Sequence, residues 1–118
     1  MAPFTITVRP GQPVLVVQAS GRAALADLCA YADFVAGLAR GRRVRKAVMN
    51  LLAVQIGISF TDHITLGAHA ARALRELEQA ASAVDAKYRS GTREKAAQNS
   101  GLKLRTFTDL GEAIAWVS

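Results

Sequence analysis

The segment Gly57-Ile58-Ser59-Phe60-Thr61-Asp62-His63 puts two hydroxyls, a carboxylate and an imidazole within a few positions of one another. A serine two residues after a glycine, between a strand and a helix, is the setting of a nucleophile elbow, whose strained turn holds the hydroxyl out toward a base. Thr61 stands where that motif needs its second glycine, which removes the room for close backbone approach, and 118 residues are too few for that hydrolase fold. Ser59 reads better as a helix cap, because Ser59-x-x-Asp62 has the form of a capping box: the hydroxyl takes a free backbone N–H and the carboxylate sits in the favourable first turn. His63 and His69 are six positions apart and miss the i, i+4 spacing that would turn two imidazoles toward one metal. Asp62 and His63 are adjacent on a helix, point in different directions and serve no attached nucleophile. No catalytic residue, metal site or cofactor is expected; Ser59, Thr61, Asp62 and His63 are retained as a candidate partner or regulatory surface.

A second candidate is Lys87-Tyr88-Arg89-Ser90-Gly91-Thr92-Arg93-Glu94-Lys95. Free N–H groups at a helix start, a glycine, two hydroxyls and flanking cations are the ingredients of an anion site, drawn from Lys87, Arg89, Ser90, Gly91, Thr92 and Arg93. The loop has no P-loop or dinucleotide fingerprint. Binding of a small anion or nucleotide there is the alternative function.

These residues need elements to hold them. Phe4, Ile6 and Val8 alternate with polar residues, which is the period of a strand with one buried face, and Val14–Gln18 is a nearly continuous apolar strand. With Pro10-Gly11-Gln12-Pro13 between them they form an antiparallel hairpin, closed by Ser20-Gly21. Apolar residues at helical spacing predict a helix over Ala23–Arg40 that Gly41 caps. From Val44 to Leu77 the chain passes from an apolar strand, Ala47–Val54, through the short turn above into a helix expected over Phe60–Glu78. This strand-turn-helix unit should be central. Ala80–Ala86 is assigned as a strand, residues 92–99 as a short helix capped at Gly101, and Leu102–Phe107 as a strand. Asp109 or Thr108 caps a last helix in which Leu110, Ala113, Ile114 and Val117 face inward and Trp116 docks against the sheet or lies at its margin. The predicted fold is α/β: a single mixed β-sheet of about five strands, a hairpin followed by β-α units, flanked by about four helices.

Composition limits the function. The 51% apolar content, rich in alanine, suits one domain with closely packed helices. The lone Cys29 rules out an intramolecular disulfide and suits a reducing cytosol. No run approaches the roughly 20 apolar residues of a membrane span, and the N-terminal sequence lacks the pattern of a secretory signal. A cytoplasmic location is expected. The charge of +6 raises the question of nucleic acid. However, the later cations are spread among acids, and no aromatics interleave with Arg40, Arg42, Arg43, Arg45 and Lys46, so nucleic acid is not expected. That cluster is explained by its place at a helix C-terminus, where the macrodipole favours cations.

The element order, the strand ending near Gly21, the basic turn into KAVMNLLAV and above all the closing stretch GLKLRTFTDLGEAIAWV resemble the SpoIIAA-like or STAS-like family. The resemblance is most specific over Gly101–Val117. In the signalling branch of that family a phosphorylatable serine starts the helix after the central strand, within a D-S-[SG]-G-like motif. This chain reads GISFTDH there and has Asn50-Leu51 where that branch usually has Asp-Leu, so it resembles instead the uncharacterised branch of small bacterial dimers. The resemblance implies a non-enzymatic interaction or regulatory domain whose partner is a second copy or another protein.

Overall fold

An alternating strand followed by a β-branched one can bury its apolar side chains only after the two pair. The computed structural model, in which residues 3–8, 14–89 and 91–118 are described, with Arg93 by its backbone alone, pairs β1 (Thr5–Val8) antiparallel to β2 (Leu15–Ala23). The chain continues through α1 (Leu25–Arg42), β3 (Lys46–Ile56), α2 (Phe60–Ala73), β4 (Gln79–Val84), a 3-10 turn at Ala86–Tyr88, α3 (Gly91–Asn99), β5 (Leu104–Phe107) and α4 (Leu110–Val117). The strands lie in the sheet in sequence order, with β2 to β5 parallel. This is the predicted mixed sheet of five strands with four helices.

That topology decides the layers. Each of α1, α2 and α3 joins neighbouring parallel strands and advances the sheet in the same direction, so right-handed crossovers place all three on one face. The main core lies there, with Leu28, Tyr31 and Val35 of α1, Leu66 and Ala70 of α2 and Ala97 of α3 against Val17, Met49 and Leu104. The other face is left to α4, whose Ala113 and Val117 cover Val16, Val48, Ala81 and Ala83. Trp116 lies at its margin, 5.9 Å from the ring of Phe107.

Two polar groups in this core have assigned partners. The buried Tyr31 hydroxyl donates to the Val17 carbonyl at 2.5 Å, and its ring meets Phe4 edge-on. Asn50 sits at a bulge, where Leu51 and Leu52 of β3 together oppose Ala19 of β2, and its Oδ1 accepts the Leu52 N–H at 3.2 Å. Burial raises the Tyr31 pKa above the ordinary tyrosine value. Below about pH 10 the residue is protonated in both folded and unfolded chains and contributes no pH dependence. Above it the unfolded chain loses the proton and the folded one keeps it, so stability is expected to fall by about 1.4 kcal/mol per pH unit. Urea melts from pH 9 to 11.5 on wild type and Tyr31→Phe check this, since the variant should lose the part of the slope that Tyr31 supplies.

The outer edge of β5 is closed by side chains of α3. Gln98 Nε2 donates to the Leu104 carbonyl at 2.8 Å, and the Thr106 N–H donates to Glu94 Oε2 at 3.3 Å.

Several boundaries differ from the sequence expectation. Ser20-Gly21 does not close the hairpin: β2 runs through both to Ala23 because Gly21, Arg22 and Ala23 go on pairing with β3, and Gly21, at φ +100°, lies close against the Pro3 carbonyl. The helix α1 runs past Gly41 to Arg42 and is capped by Arg43, which adopts the left-handed conformation while Val44 N–H bonds back to the Ala39 carbonyl. The helix α2 stops at Ala73 rather than Glu78. Gln79 must reach the level of Lys46, and the irregular stretch 74–78 advances farther per residue than the roughly 1.5 Å of a helix. The expected Phe60 start of α2, the left-handed Gly101 and the Asp109 cap of α4 are present, and so is the strand after α2, which ends at Val84 rather than Ala86 because Ala86 opens the 3-10 turn. The Pro10-Gly11-Gln12-Pro13 break lies outside the described residues.

Candidate functional site

In a parallel sheet the turns that follow the strands gather at one edge, and ligands of open α/β sheets bind there. Here that edge collects Ala23-Ala24 after β2, Gly57–Ser59 after β3 and Asp85–Arg89 after β4, so both candidate segments meet along it. The Gly57 N–H donates to the Ala23 carbonyl at 3.3 Å, which ties the first two turns together. A shallow depression of about 480 Å³ opens between Arg22, Ala24, Gln55, Gly57 and Tyr88. Among the described residues that line it, Arg22 is the one that carries a charge.

Ser59 is the cap that its spacing implies: extended backbone precedes the helix, and Oγ accepts the Asp62 N–H at 3.2 Å. Thr61 is exposed; Asp62 and His63 are half-buried in the same turn. The two histidines go separate ways, for His69 Nε2 lies 2.9 Å from Asp33 Oδ1 of α1 and ties the two helices together. Among the described residues no group of three or more His, Cys, Asp or Glu is arranged to hold a metal. Burial and the neighbouring Asp33 push the Cys29 thiol up, which keeps it protonated and weakly nucleophilic.

The loop before α3 is less suited to an anion than its composition implies. The Asp85 carboxylate accepts the Lys87 N–H at 3.1 Å, Lys87 Nζ lies over the Tyr88 ring at 5.2 Å, and Glu94 occupies the first turn of α3. These place two negative charges among the cations. Arg89 and Gly91 are exposed and Thr92 half-buried, while Ser90 and the Arg93 side chain lie outside the described residues.

The feature that sequence reasoning missed is apolar. Leu66, Gly67, Ala70 and Ala71 form the buried face of α2, and Phe60 and Ile64 lie two turns before Gly67 and Ala71 on the same flank. They continue a core stripe, yet Phe60 is 66% exposed and Ile64 43%. Over the first turns of α2 the described chain covers Asp62 and His63 in part and leaves Phe60 and Ile64 largely open to solvent. The stripe itself was visible in the sequence as Phe60, Ile64, Gly67 and Ala71; where cover stops along it depends on the sheet.

No protein-family profile and no curated protein sequence matches this chain. Among solved structures, an anti-sigma factor antagonist from Mycobacterium paratuberculosis superposes with a TM-score of 0.63 at 17% identity, over 98% of this chain and 94% of its own. An uncharacterised DUF3478-family protein with a SpoIIAA-like fold, from Shewanella loihica PV-4, gives 0.60 at 15% identity over 100% and 96%. The Bacillus cell fate determinant SpoIIAA in its phosphorylated form gives 0.51 at 18% over 98% and 100%. The chain therefore has a SpoIIAA-like fold, as its closing strand and helix led one to expect. At these identities the likeness is one of fold.

Proposed function

We propose that this SpoIIAA-like fold serves as a regulatory protein-interaction domain, with no catalytic role, whose contact surface is the N-terminal half of α2. The exposure of Phe60 and Ile64 carries this reading. Large apolar side chains left in water at the end of a core stripe are anchor residues awaiting a cover, and such anchors dominate binding energy when buried. Ser59, Thr61, Asp62 and His63 supply the polar rim around them. One neighbour in fold is named as an anti-sigma factor antagonist, a function exercised on another protein. With Ser59 engaged to the Asp62 N–H, the proposed role of its hydroxyl is to hold the contact surface in shape. No helix of the described chain is long and apolar enough to cross a membrane, and the free thiol Cys29 fits a cytoplasmic setting. The partner is a second copy of the chain or another protein.

Sedimentation of the purified chain over a concentration range separates those two partners: a dimer that Phe60→Asp dissociates identifies self-association. If the wild type is monomeric, proteins retained from source cells by a wild-type column and not by a Phe60→Asp column are purified and titrated. Binding should weaken about tenfold or more in Phe60→Asp and Ile64→Asp, and less than about twofold in Lys87→Glu. A partner or dimer that tolerates Phe60→Asp as well as wild type would overturn the reading. So would a monomeric wild type whose column retains the same proteins as the Phe60→Asp column.

A further inference from the structure

At the opposite edge of the sheet from Phe60, the C-terminal ends of α1 and α2 lie side by side. Between them runs a groove of about 400 Å³, floored by Ala36, Ala39, Val44, Ala73, Leu74 and Leu77 and rimmed by Arg40, Arg43 and Arg45. A second depression shares Ala36, Arg40, Ala73 and Glu76 with it and adds Arg72 and Arg75. Arginines some thirty positions apart in sequence thus line one continuous surface.

Its charge is not balanced from within. Five arginines face two carboxylates, Asp33 and Glu76, and Asp33 is already bonded to His69. Arg45 lies 3.7 Å from Glu78, a pair exposed on both sides and worth little. Arg40, Arg43, Arg72 and Arg75 have no ion pair among the described residues. The helix ends absorb part of the excess, since each carries a partial charge of about −0.5, together about one unit. Five cations less three carboxylates, Glu78 counted against Arg45, less that unit leave roughly one positive charge.

We infer that this groove docks an acidic peptide segment of a protein partner, with an apolar side chain on the floor and carboxylates against the arginine rim. The guanidinium fork matches a carboxylate with two parallel hydrogen bonds, which a lysine patch would not do. The floor sets this ligand apart from its competitors. A free phosphate has no apolar group to bury on it, and a single-stranded nucleic acid would find no aromatic ring on which to stack. A volume of about 400 Å³ is at the lower end of the range for small-ligand sites and accommodates an anchor side chain or two.

The probe is a fluorescein-labelled peptide in which leucines are spaced among glutamates, titrated by anisotropy at moderate salt. Saturable binding is expected, weakened about tenfold or more when Arg40→Ala and Arg72→Ala are combined, and unchanged in Lys95→Ala. Ala73→Trp, which fills the floor and leaves every charge in place, should weaken it as well. Arg40 and Arg72 are exposed, so their alanine variants retain the fold, and the unfolding midpoint verifies this. Should Ala73→Trp not fold, the peptide with serine in place of leucine tests the floor, and it must bind more weakly than the parent. Absence of saturable binding, equal affinity for the serine peptide, or tighter arginine-dependent binding of a single-stranded oligonucleotide would each overturn the inference.

Discussion

Tyr31→Ala is expected to lower the unfolding free energy by about 3–5 kcal/mol, the range for removing a buried aromatic side chain. The ring fills the space between α1 and β2, is 2% exposed and stacks edge-on against Phe4 of the strand entry. Its loss opens a cavity between elements that cannot close over it, because Leu28 and Val35 are held on either side in the same core. The hydroxyl is a separate and smaller contribution. Tyr31→Phe keeps the packing and removes one donor from the Val17 carbonyl, which should cost about 1 kcal/mol. Denaturant melts of the two variants therefore separate packing from hydrogen bonding; equal losses would contradict the assignment of most of the energy to the ring.

Gly21→Ala should be the second severe change, although Gly21 lies in an ordinary-looking strand. A Cβ built there would sit 2.1 Å from the Pro3 carbonyl oxygen, and the φ of +100° is one that side-chain-bearing residues rarely adopt. Backbone strain of about 1–3 kcal/mol adds to the displacement of Pro3 and Phe4. A loss of about 2–4 kcal/mol follows, read as a fall of roughly 4 °C in Tm per kcal/mol. Gly37→Ala and Gly41→Ala are the controls. Both lie in α1 with open space around the added methyl, so each should stabilise by about 0.5–1 kcal/mol. A Gly21→Ala protein as stable as the controls would show that the β1 entry does not press on β2.

The contrast between these glycines shows what one sequence reveals. Caps were legible because they are local: Ser59 with Asp62 and Asp109 with Glu112 each need only three residues of spacing and one hydrogen bond. The sheet followed from the alternation of strand and helix periods. Gly21 was misread as punctuation because its reason is a carbonyl eighteen residues earlier, and Gly41 because the pairing of Val44 with Ala39 carries α1 past it. The candidate site was legible in part. Ser59 could be assigned from its turn, but the solvent exposure of Phe60 depends on where the sheet ends beneath α2. The joining of Arg40 and Arg43 with Arg72 and Arg75 depends on the crossover that lays two helices side by side.

The covered edge of β5 limits how copies of this molecule could assemble. In β5 the Leu104 carbonyl and the Thr106 N–H point away from β4, and Gln98 and Glu94 already occupy them. A strand from another chain arriving there would have to displace both side chains to bond to those two groups. Continuation of the sheet is thereby easier on the β1 side. Two molecules joined through β1 would each present only a blocked end outward, so growth by this route stops at a pair and cannot run on into a fibre.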